Sequence, residues 1–124
     1  MIDVIGSIVG RIGAIEGFEG RVYRRWPKTR AKTPSCIVSR VSGHPTLIDE
    51  GGQEVIATLV YSVDVNADDP DQADALAEQV IDALGGMNFT RTGDTDFYDG
   101  EMRASRRVLT FMGTVDTRGQ PFTN

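Results

Sequence analysis

The chain predicts an α+β fold: a mostly antiparallel sheet with two helices packed on one face. Three observations predict it. Apolar residues alternate through residues 54–66, EVIATLVYSVDVN, the pattern of a strand with one buried face. Apolar residues recur at helical spacing in residues 2–15 and again in 70–84. Between these helices the strands follow one another through turn signals, which makes hairpins.

In chain order, residues 2–15 read as a helix because Ile5, Ile8, Val9, Ile12 and Ile15 form a stripe. Gly6, Gly10, Gly13 and Gly17 form a second line, a bare face that lets the helix approach a neighbour closely. A phosphate-binding glycine loop is excluded, since no strand precedes these glycines and the G-x-G-x-x-G spacing is absent. Gly17–Gly20 breaks the helix, and residues 21–24 (RVYR) make a short strand. Residues 24–34, RRWPKTRAKTP, form a loop with two prolines and no acid. Residues 35–42 are a strand, Gly43-His44-Pro45 is a turn, and Glu50-Gly51-Gly52 signals a second turn. The long strand 54–66 follows, antiparallel to its predecessor. Its odd positions from Val55 to Val65 are all apolar.

Residues 70–84 are the clearest helix, with Ala73, Leu76, Ala77, Val80, Ile81 and Leu84 facing a core. Gly85-Gly86 ends it. A short strand at 88–91, a turn-rich loop at 92–100 (TGDTDFYDG) and a last strand at 102–115 complete the reading. The domain thus covers 1–115, and 116–124 is a flexible polar tail.

Composition narrows the function. The chain has 124 residues and fits one domain. Its net charge is −5, which argues against a general nucleic-acid binder. One cysteine, Cys36, allows no internal disulfide. The apolar N-terminus is interrupted by Asp3, Arg11 and Glu16, and it is far short of a membrane span. A soluble product of a reducing compartment is the expectation.

Four candidate sites arise. Asp64-x-Asn66-x-Asp68 opens like a calcium loop, but position 6 is Asp69 and position 12 is Ala75, where glycine and glutamate are required. Helix capping accounts for the same residues: Asp69 as N-cap, Pro70 in the first turn and Gln72 three residues on. Cys36 and His44 are the one nucleophile–base pair available, and no third orienting group accompanies them. Asp94, Asp96, Asp99 and Glu101 cluster in the 92–100 region and just beyond, where a solvated loop outweighs a glycosidase-like pair. The basic loop is harder to dismiss. Arg24, Arg25, Trp26, Lys28, Arg30 and Lys32 stand together in an acidic chain. They suit phosphate contact, a salt-bridging arm to an acidic neighbour, or a solvated loop.

The ordered segments GRVYRRWP, TPSCIVSRVSG, YSVDVNADDPDQADALAEQVIDALGG and DFYDGEMRASRRVLTFMGTV together resemble the tail-completion or tail-terminator proteins of long-tailed bacteriophages. The resemblance covers roughly residues 2–115 and lies in structural patterns, not catalytic signatures. It implies a virion protein of the tail or neck, assembled in the host cytoplasm, with no enzymatic activity, cofactor, metal or membrane. It implies a hexameric ring that caps the tail tube and joins it to the head connector or stopper, with DNA passing through its lumen. The partners are then other copies of itself, the tail-tube protein and the connector. Within that picture the basic loop 24–34 is an arm that clips one subunit to the next. Other readings are a different neck ring component, a small cellular ligand-binding or regulatory domain, and a small hydrolase.

Overall fold

The computed structural model describes residues 2–27 and 32–122. Helix α1 spans Ile5–Gly13, followed by a single 3-10 turn at Glu16–Phe18. Strand β1 is Val22–Tyr23, β2 is Ser35–Ile48 and β3 is Glu54–Ala67. Helix α2 is Pro70–Gly85, β4 is Thr90–Asp99 and β5 is Ala104–Asp116. One five-stranded sheet runs in the order β1-β2-β3-β5-β4. Every pairing is antiparallel except the short parallel contact of β1 with β2.

The expected α+β arrangement is present, with β2 and β3 antiparallel neighbours. Both helices pack against the same side of the sheet and against each other. The alternation in β3 accounts for this. Ala57, Leu59, Tyr61, Val63 and Val65 are completely buried and meet Ile8, Ile12, Leu76, Ala77, Val80 and Leu84 in one core. The opposite residues Thr58, Val60 and Ser62 are only half-buried, because no helix covers that face.

The predicted N-cap is made: Asp69 accepts from the Gln72 backbone N–H at 2.8 Å. Gln72 answers by accepting from the Asp68 N–H at 2.9 Å, and Pro70 sits in the first turn. Tyr61 ties the core to the N-terminus. Its hydroxyl accepts from the Val4 N–H at 2.9 Å and donates to Asp3 at 2.6 Å. Its ring meets Phe89 edge-on at 5.7 Å.

Three expectations change. Gly43-His44-Pro45 is not a turn: β2 continues through it to Ile48, with register shifts after Arg40 and around Leu47. Pro45 is tolerated because β2 beyond Ile37 has no outer partner to receive an N–H. At Gly43 the Arg40 guanidinium folds over the space a Cβ would take. Residues 92–100 are not a turn-rich loop but most of β4, paired with β5 from Thr90 to Asp99. The chain beyond Val115, expected to be a polar tail, turns at 116–119 and returns along β5. Pro121 bridges Val115, and the Phe122 N–H donates to the Thr114 carbonyl at 2.9 Å.

Candidate interaction surface

The basic segment leaves β1 at Arg24 and re-enters the sheet at Ser35. Its two ends are drawn together. Arg21 donates through Nε to the Pro34 carbonyl at 2.8 Å, and through Nη2 to the Thr33 carbonyl at 3.4 Å. The Thr33 hydroxyl donates to Asp68, just past the end of β3. Arg24, Arg25 and Lys32 are exposed, and among the described residues none of them has an ion-pair partner. Lys28 and Arg30 lie outside the described residues.

Trp26 does not hang free. Its ring lies 4.8 Å from the Arg106 guanidinium carbon, whose other aromatic neighbour is Phe97 at 4.9 Å. Arg106 therefore lies against two rings, an arrangement that cation–π attraction favours. It also pairs with Asp64 and with Asp99 at 2.9 Å. Burial works against its charge. The hydrogen bond and charge of Asp64, then those of Asp99, outweigh that and leave its pKa raised. The register explains the meeting: Arg106 pairs with Asn66 across one side and with Phe97 across the other. The even residues of β3 and β5 thus share the uncovered face. Trp26, near the start of the arm, lies over this end of the sheet against Arg106.

The acids of the 94–101 region are organised too. Asp94 takes Arg107 at 2.6 and 3.0 Å and Arg91 at 2.9 Å. The Arg107 hydrogen bond is the chief cause that holds its carboxyl below the usual range. Arg107 extends the network to Asp74 on α2 at 3.1 Å. Asp99 accepts from the backbone N–H groups of Met102 and Glu101 at 3.1 and 3.0 Å. The first of these, with Arg106 after it, lowers its pKa. Asp96 and Glu101 are exposed on the outermost strand and the turn after it.

The remaining candidates are not brought into sites. Cys36 is completely buried, and burial, then the charge of Asp64, pushes its thiol up. His44 lies exposed further along the same strand, roughly 20 Å or more away at the usual rise per strand residue. The oxygens of the calcium-like stretch take different partners: Asp64 pairs with Arg106 and Asp68 with Thr33. The Asn66 amide turns back to donate to Asp64 at 3.3 Å. Among the described residues no group of three or more metal-type side chains converges.

The sequence singled out the basic segment for its composition and gave no sign of what holds it. The residues that hold it, Asp64, Phe97, Asp99 and Arg106, are scattered over three strands. The one signal available was the adjacent arginine pair Arg106 and Arg107 within the last strand.

A family model described as "Tail completion protein gp17" matches residues 11–116. No curated protein matches the chain.

Proposed function

The chain belongs to the tail completion protein gp17 family, structural components of the bacteriophage tail, and from that premise we propose that it forms a hexameric ring at the head-proximal end of the tail. The ring terminates the tail tube, meets the head connector or stopper, and lets DNA pass through its lumen. It acts through its surfaces and without catalysis. The observation that carries this reading is the span of the family match. It runs from the last turn of α1 to the last residue of β5 and so takes in the whole sheet and α2. The arrangement of the molecule supports it. The charged side chains of β4 and β5 are organised into ion pairs, and both helices lie on one face of the sheet. The acidic balance of the chain suits a lumen that DNA must traverse without adhering.

Deleting the gene from the phage that encodes it tests the reading. Tails of uncontrolled length, or tails lacking heads, are the expected outcome, and cryo-EM of the wild-type neck should place the protein as a ring on the tube. Normal infectious particles from the deletion would overturn it. A ring placed elsewhere in the neck would reassign its position to another connector component.

A further inference from the structure

Resting on that ring reading, we propose that neighbouring copies join edge to edge, the β4 edge of one chain lying antiparallel along the β1–β2 edge of the next. Four observations lead there.

Both edges are open. Among the described residues, β4 borders the sheet with no strand outside it. On the far side β1 covers β2 only at Cys36 and Ile37, and no other described strand pairs with the outer side of β2 from Val38 to Ile48. An open row of backbone donors and acceptors is a template for another strand.

The strand directions fit. β2, β3, β5 and β4 alternate, so β4 runs opposite to β2 and to the parallel β1. When the sheet is repeated by rotation, the new junction is again antiparallel. A contact between two different edges is the kind that closes a ring.

The charges fit as well. Following the registers across the sheet, Val22 is level with Cys36, Val65, Arg107 and Asp96. In a ring without stagger, Asp96 of one copy therefore arrives level with Val22 of the next. Arg24 and Arg25 follow directly. A two-fold pairing of β4 with β4 would instead bring Asp96 against its own copy, or Asp94 against Asp99, according to register, and like charges facing each other oppose pairing.

Finally, these edges expose apolar side chains. On β4, Tyr98 is 64% exposed, and on β2, Val41 is 58% exposed. Acids alone would protect an edge from any partner; acids beside exposed aromatics select one.

The test uses the full-length chain and charge-reversed variants at exposed positions, which leave the core untouched. Sedimentation velocity over a concentration series reads self-association, with and without purified tail tubes. Arg24→Glu with Arg25→Glu should weaken assembly tenfold or more, as should Asp96→Arg. All three changes on one chain should restore it to within a few-fold of wild type. A carbodiimide cross-link between Lys32 of one isotope-labelled copy and Asp96 or Glu101 of an unlabelled copy is expected in the wild type. Rings that form equally well in every variant would overturn the edge pairing and leave the ring reading standing. A wild-type chain that stays monomeric even with tubes would overturn both.

Discussion

Replacing Arg106 with methionine removes the charge and keeps most of the side-chain length. The side chains of Arg106 and Asp64 are 17% and 12% exposed. Their pair is thus largely but not fully withdrawn from water. Removing one member of a buried pair costs about 3–5 kcal/mol, because the other charge is left uncompensated; residual solvent access lowers that here to about 2–4 kcal/mol. The two aromatic contacts add about 0.5–1 kcal/mol each. The expected loss is about 3–6 kcal/mol, a large share of the 5–15 kcal/mol of a typical domain. Equilibrium unfolding in guanidinium chloride at neutral pH measures it. Asp64→Asn in the Arg106→Met background should recover part of the loss, since the stranded charge is gone, and the cycle should show coupling of about 1.5–3 kcal/mol. Trp26 emission should report a released arm in the folded Arg106→Met protein. A cost under about 1 kcal/mol, with Asp64→Asn strictly additive, would refute the idea that this arginine organises the uncovered face.

Tyr61→Phe leaves the buried Val4 N–H without its acceptor, at a cost of about 1–3 kcal/mol by denaturant unfolding. Burial first, then the hydrogen bond to Asp3, pushes the Tyr61 hydroxyl up to about 12 from 10.0. Its contribution is full below pH 10 and is lost as pH rises toward 12, a decline that Tyr61→Phe should lack. The Asp94 and Asp99 carboxyls are held below their ordinary value of 3.8. Their contribution is present above that value and is lost as pH falls through the depressed folded values. Stability should therefore drop below about pH 4, and Asp94→Asn should flatten the drop in a pH series of urea midpoints. At Gly113 an added Cβ would sit 2.8 Å from the Phe89 ring. Gly113→Ala should cost about 1–3 kcal/mol in the same unfolding assay.

What was legible in the sequence is what periodicity and capping encode. The β3 alternation marked the buried face correctly from Ala57 to Val65, and Asp69, Pro70 and Gln72 placed the start of α2 within the local chain. β4 escaped because TRTGDTDFYD has no apolar alternation and carries Gly93 and three aspartates, which signal a turn. It is a strand because β5 supplies its hydrogen bonds and because Arg106 and Arg107 pair with its acids from across the ladder. Edge strands answer to a partner more than to their own composition. β2 was cut short at Gly43-His44-Pro45 for a related reason: those residues signal a turn, yet on an open edge they cost the ladder little. The arm stood out by its composition, while the clasp around Trp26 joins residues from β3, β4 and β5. Only their shared row in the sheet brings them together.

The strand order also shapes how the chain finds its fold. β2 with β3, and β4 with β5, are local hairpins that can form early. The sheet is complete only when these two ribbons are sewn along the β3–β5 seam, whose ends are Ile56 with Asp116 and Ala67 with Ser105. The second pair closes the shorter loop, and closure entropy rises with loop length. Zipping should therefore start at the Ala67 end, where α2 has just left β3, and run toward Ile56. The ion pair of Arg106 with Asp64 lies beside that starting point. Substitutions there should slow refolding, whereas those near Ile56 should mainly hasten unfolding, as stopped-flow chevrons of the two sets would show.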